Sequence, residues 1–196
     1  MRLPLYLRTL VQLSQRGVEV VSSQQLGQQL QMTPAQIRKD LSYFGRFGRQ
    51  GRGYSVGYLL EELRQILGLE REWNAGLVGV GRLGRAIISY TGMASEGFHI
   101  VSAFDADPRQ VGQTVGGITV QSMDHLQDIK ATDTRIAIVA VPAAHAQEVI
   151  DRLVECDVRA ILNYAPIPAV VPPSVKLRNI DPVLALQSMT YYLRSL

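Results

Sequence analysis

Cysteine is almost absent from this chain, which contains a single one, Cys156, among its 196 residues. One cysteine cannot form an intramolecular disulfide, so the sequence excludes a disulfide-stabilised scaffold. We interpret Cys156 as a core or boundary thiol. The three histidines, at positions 99, 125 and 145, do not form the i, i+4 pair that helical metal sites use. The sequence therefore predicts no metal site.

Long apolar runs are also missing. The chain has no stretch of about 18 apolar residues and no charged leader followed by an apolar stretch and a small-residue cleavage site. These absences predict no membrane span and no secretory signal, and we expect a cytoplasmic protein. Hydrophobic residues make up 46% of the chain, enough for a substantial core.

Acidic residues are scarce at the start of the chain. Residues 1–57 contain eight basic side chains against Glu19 and Asp40, a net charge of +6, whereas the remainder has a net charge of −3. This asymmetry predicts that the N-terminal part binds a polyanion. A solvated basic surface is the alternative that the count leaves open.

The basic segment has the pattern of short helices. Apolar residues recur at helical spacing through residues 3–15. Ser22 and Gln25 have the spacing of a capping box, which predicts a second helix that ends near Leu30.

A third helix is predicted from Thr33 as the cap, Pro34 at the first helical position and Gln36 closing a second box, and it runs to about Phe44. Two short helices joined by a brief turn, beside a leading helix, are typical of a helix-turn-helix domain.

The third helix has one apolar face and one polar face. Ile37, Leu41 and Phe44 share a face that we expect to pack against the first two helices. The opposite face and its flanks hold hydrogen-bond donors and cations, which suit the major groove of DNA. The predicted DNA contacts here are Gln36, Arg38, Lys39, Ser42, Tyr43 and Arg46.

Glycine alternates with arginine and aromatic residues through residues 45–57. This composition favours a hairpin over a helix and predicts the wing of a winged helix. Arg49 and Arg52 would then contact phosphates or an adjacent minor groove, although a charged surface loop is an alternative. Another amphipathic helix is predicted at residues 58–67, and residues 68–72 form a plausible domain boundary.

The hydrophobic period changes from residue 73 onwards. Short apolar runs suited to buried strands alternate with helical stretches, which predicts an α/β fold with a doubly wound parallel sheet. We expect a winged-helix domain at residues 1–70, a Rossmann domain at 71–180 and a C-terminal helix at 181–196. The predicted strands are residues 77–80, 99–104, 136–141, 160–162 and 175–180, with helices at 82–90 and 144–155.

A glycine-rich motif opens the second predicted domain. It follows a strand-like run, precedes a helix and has the spacing G-x-G-x-x-G, which predicts a dinucleotide site that cradles a pyrophosphate. The motif comprises Gly79, Val80, Gly81, Arg82, Leu83 and Gly84.

Asp105 follows the next strand, 24 residues after Gly81, close to the spacing of about 20 expected for the acid that binds the adenosine ribose. We expect its carboxylate to favour NAD(H) over NADP(H), a preference that Arg109 weakens slightly. A polar strand end is the structural alternative for Asp105.

A hydride-transferring enzyme needs a substrate pocket and a positioned acid or base, and this chain has little room for a substrate domain after the glycine-rich unit. We therefore expect no enzymatic activity.

The last 15 or so residues are apolar on most sides, so the helix that they form has to be buried. We predict a homodimer in which this helix crosses to the partner subunit, with a two-fold symmetry that matches a palindromic operator.

Six motifs in this order resemble the Rex family of redox-sensing transcriptional repressors, and the similarity covers nearly the whole chain. They are LPLYLR at 3–8, IRKDLSYFG at 37–45, GRGY at 51–54, LVGVGRLGR at 77–85, AFDADP at 103–108 and ILNYAP at 161–166.

The resemblance implies a dimer with exchanged C-terminal helices that binds operator DNA when NADH is scarce and leaves it when NADH rises, with NADH and NAD+ as regulatory ligands. It places Lys39 in the major groove and residues 79–84 with Asp105 on the cofactor. It further implies a redox-dependent contact formed by Tyr90, Arg8 and Asp181, with Tyr90 also near the cofactor. The local alternatives are a core residue at a helix end for Tyr90, a phosphate contact for Arg8 and the cap before Pro182 for Asp181.

Two other readings stay open from the residues alone. A small NAD-dependent oxidoreductase with a basic N-terminal module is one, and a coenzyme A binding module is the other, because such modules share the glycine-rich fold. The basic segment and its helix-turn-helix caps argue against both.

Overall fold

The computed structural model describes residues 2–45, 47–49 and 53–193. The chain divides after Arg71 into two compact units.

The first unit combines helices with a small antiparallel sheet, which confirms the predicted winged helix-turn-helix architecture. The elements of this unit are α1 (Leu3–Gln15), β1 (Val20–Val21), α2 (Ser23–Leu30), α3 (Pro34–Ser42), β2 (Gly48–Arg49), β3 (Gly53–Ser55) and α4 (Val56–Ile66). Strand β3 pairs with both β1 and β2, in the order β1-β3-β2.

Side-chain caps determine where these helices begin. The Ser22 hydroxyl accepts from the Gln25 amide, and the Gln25 side chain accepts from the Ser22 amide, so the predicted capping box is present. Thr33 caps α3 through the Gln36 amide at 3.2 Å. The prediction of a second capping box, at Thr33, is wrong, because the Gln36 side chain donates to Asp40 instead of returning to the Thr33 backbone.

The core of the first unit forms where the apolar faces of α1, α3 and α4 meet, with Tyr6, Ile37 and Leu59 fully buried. Phe44 does not join Ile37 as predicted. Helix α3 ends at Ser42, so Phe44 leaves the helical face and stays 41% exposed, and Phe47 packs in the core instead.

The strands of the second unit are β4 (Trp73–Val78), β5 (Phe98–Asp105), β6 (Thr114–Val115), β7 (Ile118–Ser122), β8 (Ile136–Val139), β9 (Ala160–Asn163) and β10 (Lys176–Asn179). They form a seven-stranded sheet in the order β10-β9-β8-β4-β5-β7-β6, in which β6 alone is antiparallel to its neighbour. Its α-helices are α5 (Arg82–Ile88), α6 (Ala143–Glu155) and α7 (Pro182–Leu193), and 3-10 segments span Ala94–Glu96 and Met123–Thr132.

The six parallel strands have the order of a Rossmann fold, in which the strand order reverses between β4 and β8. The predicted doubly wound sheet is therefore confirmed. The sequence analysis missed the β6–β7 hairpin, which lies at the sheet edge and is only partly buried. The crevice at the strand reversal is where such folds bind ligands.

Helix α7 contrasts with every other α-helix described here, because none of its residues is buried. Its large apolar side chains are 58–73% exposed, namely Val183, Leu184, Leu186, Met189, Tyr191, Tyr192 and Leu193. Within the described residues, no helix has the length and apolar character needed to cross a membrane.

Candidate functional site

A turn of unusual backbone shape follows β4. Gly79 has φ of +95°, and a Cβ placed there would lie 2.5 Å from the carbonyl oxygen of Ala140. Only glycine satisfies both constraints. The turn therefore brings the end of β4 against the end of β8, at the strand reversal.

The other two glycines of the motif differ from each other. A Cβ on Gly84 would collide with the Gly79 carbonyl oxygen, so Gly84 permits the close packing of α5 on the turn. A Cβ on Gly81 would meet no atom within 4 Å. Gly81 thus leaves open space above the backbone, as the approach of a pyrophosphate requires.

Asp105 ties this turn to the neighbouring strand. Its Oδ2 accepts from the Val80 amide at 2.6 Å, and its Oδ1 accepts from the Asp107 amide at 2.8 Å. The carboxylate therefore has a structural role that the sequence analysis weighed only as an alternative. Because each carboxylate oxygen has a second lone pair, the same group can also accept from a ribose hydroxyl.

A cavity of about 490 Å³ opens at this point. Among the predicted cofactor residues, its lining includes Gly79, Gly81, Arg82, Leu83 and Asp105. The other three predicted cofactor residues are absent from the described lining: Val80 and Gly84 are buried beneath the turn, and Tyr90 is 63% exposed beyond α5.

The sequence analysis missed the opposite wall of this cavity. Residues 140–142, His145 and Val149 line it from the β8–α6 junction, and Asp107 and Gln110 line it from the segment after β5. The β8–α6 junction has no motif of its own. Its position follows from sheet order, since the strand reversal sets it beside the glycine turn.

The first unit presents the polar face of α3. Arg38, Lys39, Ser42 and Tyr43 are all exposed there, as a DNA-contacting face requires. Arg38 donates to the Ser23 hydroxyl at the start of α2 at 3.1 Å, and the Ser42 hydroxyl donates to the Lys39 carbonyl at 2.8 Å.

Asp40 lies at the centre of a polar cluster that joins α1 to α3. Arg2 donates to both of its carboxylate oxygens at 2.6 Å, and the Tyr6 hydroxyl donates to Oδ2 at 2.5 Å. The Gln36 amide nitrogen donates to Oδ1 at 2.7 Å. The predicted DNA contact Gln36 is thus held in a fixed orientation by the carboxylate.

These contacts change the acidity of the cluster. Hydrogen bonds from Arg2, then from Tyr6 and Gln36, hold the pKa of Asp40 well below its usual range although burial opposes them. Burial, followed by the hydrogen bond to Asp40, raises the pKa of Tyr6 to about 12. Asp40 is therefore an ionised acceptor throughout the neutral range.

The remaining predicted site residues are the three arginines of the wing and the three switch residues. Arg46 and Arg52 lie outside the described residues, and Arg49 belongs to β2 by its backbone. Of the three predicted switch residues, Arg8 is exposed on α1, Tyr90 is exposed after α5, and the Asp181 carboxylate accepts from the Val183 amide at 2.9 Å and so caps α7.

Comparisons with known proteins divide the chain in the same way. A family profile described as "Putative DNA-binding protein N-terminus" matches residues 1–42, and one described as "CoA binding domain" matches residues 70–167. The "Redox-sensing transcriptional repressor Rex" of Chloroflexus aurantiacus is 54% identical over 98% of this chain and 91% of its own length. The protein of the same name from Desulfitobacterium hafniense is 44% identical over 97% and 91%.

Solved structures of a Rex-family repressor are similar to this chain over nearly its whole length. The structure titled "Crystal structure of RSP in complex with beta-NAD+ and operator DNA" has a TM-score of 0.93 and 37% identity, covering 99% of this chain and 90% of that one. The structure of RSP "in complex with beta-NADH" has a TM-score of 0.88 and 35% identity, covering 99% and 91%.

Gly81 and Gly84 allow a matched test of the pyrophosphate cradle, which is the glycine-rich turn at residues 79–84. In Gly81→Ala the new methyl group has room in the free protein, so we expect unchanged thermal unfolding but NADH affinity reduced about tenfold or more. Gly84→Ala forces α5 away from the turn, so we expect both stability and NADH affinity to fall. Differential scanning fluorimetry and NADH titration measure the two effects, and full NADH affinity in Gly81→Ala would contradict the cradle.

Asp40 allows a test with pH. Its pKa is lowered in the folded state, so its contribution to stability is complete above the unfolded pKa of about 4 and is lost as pH falls towards the folded value. We expect Asp40→Asn to unfold at a lower urea concentration than wild type at pH 7, with a free energy of unfolding that is smaller by about 1–3 kcal/mol. That difference should shrink as pH falls below about 5, through the unfolded pKa of about 4 and towards the lower pKa of the folded state. A difference that is independent of pH would contradict this account.

Proposed function

This chain belongs to the Rex family of redox-sensing transcriptional repressors, with a second unit of the CoA-binding-domain family, and we propose that it represses transcription by binding operator DNA until NADH occupies its glycine cradle. The observation that carries the proposal is the combination in one chain of a basic helix-turn-helix face with an open dinucleotide cradle. Because such a regulator acts on the chromosome, we infer that it works in the cytoplasm.

The DNA contacts that we propose come from the polar face of α3 and from the wing. Lys39 is exposed near the middle of α3, where a recognition helix enters the major groove. Gln36 lies in the first turn of the same helix and is oriented by Asp40. Arg38, Ser42 and Tyr43 would lie beside these two, and Arg46, Arg49 and Arg52 would contact the backbone or minor groove from the wing.

NADH and NAD+ would bind with the pyrophosphate over Gly81 and the adenosine ribose at Asp105. The two forms share these parts, so discrimination has to come from the nicotinamide end. A ligand shifts an equilibrium only by its different affinity for the two states. We propose that Tyr90, Arg8 and Asp181 form the contact that differs between a DNA-binding and a released arrangement.

We propose that the assembled form is a homodimer in which α7 is covered by the partner subunit. Seven large apolar side chains of α7 are more than half exposed in the single chain, and a helix that is apolar nearly all round is stable only when buried. A two-fold dimer also presents two recognition helices to a palindromic operator.

We infer that the cavity binds without catalysing a reaction. The titratable side chains of its described lining are Arg82, Asp105, Asp107 and His145. Asp105 holds two backbone amides and Asp107 holds Arg109, so neither carboxylate is poised as a proton acceptor for a substrate. Among the described residues, no carboxylate or carbonyl orients the exposed His145 side chain as an acid or base.

Coenzyme A is the second ligand that the family match suggests. Its adenosine has a 3′-phosphate, which would approach the ribose end of the cavity where Asp105 and Asp107 both lie. Two carboxylates disfavour another anion. We therefore favour NADH. NADH affinity that coenzyme A leaves unchanged would support this choice, whereas displacement of bound NADH by coenzyme A would contradict it.

The test of function is fluorescence anisotropy of a labelled palindromic duplex, selected by this protein from a random pool. At fixed salt, the complex is titrated separately with NADH, NAD+, NADPH and coenzyme A. We expect micromolar NADH to release the DNA and NAD+ to be weaker by about tenfold or more. Equal release by NADH and NAD+ would contradict redox sensing, and turnover of a hydroxy acid with NAD+ would favour an oxidoreductase.

The dimer prediction uses two neighbouring positions of α7. Leu186→Glu places a charge on an apolar position that the dimer would bury, whereas Gln187→Glu places the same side chain where a polar residue already lies. Burying an unpaired carboxylate is costly, so we expect Leu186→Glu to be monomeric and Gln187→Glu dimeric by light scattering at the same concentration. A dimeric Leu186→Glu would place the interface elsewhere.

A further inference from the structure

The segment after β5 carries an ion pair whose arginine has no role in binding under the proposed function. Asp107 lines the cavity two residues after Asp105, and Arg109 follows two residues later. Arg109 Nη2 donates to Asp107 Oδ2 at 2.8 Å, and its Nε lies 3.1 Å from both carboxylate oxygens. The Arg109 amide also donates to Oδ1 at 2.9 Å. One carboxylate thus holds both the backbone and the side chain of Arg109.

The pair has an inner and an outer member. The Asp107 side chain is 32% exposed and forms part of the cavity wall, whereas the Arg109 side chain is 88% exposed and is not in the described lining. Hydrogen bonding within the pair holds the pKa of Asp107 below its usual value. The guanidinium is therefore held by a carboxylate of the cavity wall while staying outside the described lining itself.

We propose, building on the dinucleotide function above, that Asp107 is a specificity-determining residue that excludes 2′-phosphorylated dinucleotides by holding Arg109 away from the adenosine ribose. A 2′-phosphate needs a cation at this end of a Rossmann site, and an arginine near the acid is the usual one. In this chain that arginine is present, but its Nε and Nη2 donate to Asp107.

The position of the ion pair favours a latent site for a 2′-phosphate over a contact that only stabilises the fold. Arg109 is one carboxylate away from the cavity wall, and an exposed ion pair of this kind adds little stability. Removing the charge of Asp107 while keeping the turn would leave a mobile arginine beside the ribose. The neighbouring Arg85 is differently placed, since it donates to Gln110 at 2.6 Å and also to Gln113.

The experiment uses the full chain and NADPH as the probe, with NADH titrated in parallel. In Asp107→Asn the amide oxygen can still accept from the Arg109 backbone, so the turn is kept and the ion pair is lost. We expect the ratio of NADPH affinity to NADH affinity to rise about tenfold, the equivalent of one new charged contact. Arg109→Gln in the wild-type background should leave the ratio unchanged, and Asp107→Asn with Arg109→Gln should lose the gain.

Three results would overturn the proposal. These are an unchanged ratio in Asp107→Asn that still binds NADH, a gain that survives in the double variant, and weaker NADPH binding in Arg109→Gln alone. Asp107→Ser also keeps a side-chain acceptor for the turn, and loss of NADH binding in both Asp107 variants would mean that Asp107 acts on NADH itself. Wild-type protein that does not bind NADH would instead contradict the proposed function.

Discussion

The second unit depends on one carboxylate that holds two backbone amides. Asp105 at the end of β5 fixes the Val80 amide of the glycine turn and the Asp107 amide of the next segment. These bonds connect two strand ends on one side of the strand reversal, while the close contact of Gly79 with Ala140 connects the other side. The cavity exists because three loops are held at fixed distances from one another, so its shape is set before any ligand arrives.

The first unit uses a carboxylate in the same way. Asp40 receives hydrogen bonds from Arg2, Tyr6 and Gln36, and so fixes the recognition helix on the leading helix. Both acids are positioned by local sequence, one at a strand end and one within a helix. In each unit the acid fixes the groups that it hydrogen-bonds, and this fixes the positions of the residues that face the ligand.

Much of this architecture could be predicted because the signals are local. The caps at Ser22 and Thr33 and the glycine motif each depend on residues within one turn, and the structure has them where the spacing predicts. The misses depend on which of several nearby partners a side chain takes. Gln36 prefers Asp40 to its own helix start because Asp40 is already held by α1, and the Arg109 pair exists because an Asx turn brings its guanidinium back onto Asp107.

The bare apolar surface of α7 has a genetic consequence under the proposed assembly. A subunit with an inactive recognition helix but an intact α7 would still pair with normal subunits. Each mixed pair would then offer a palindrome one competent half, which binds far more weakly than two. Defects in α3 would therefore be dominant over a normal copy in the same cell, whereas defects in α7 would be recessive, because an unpaired subunit cannot sequester a good one.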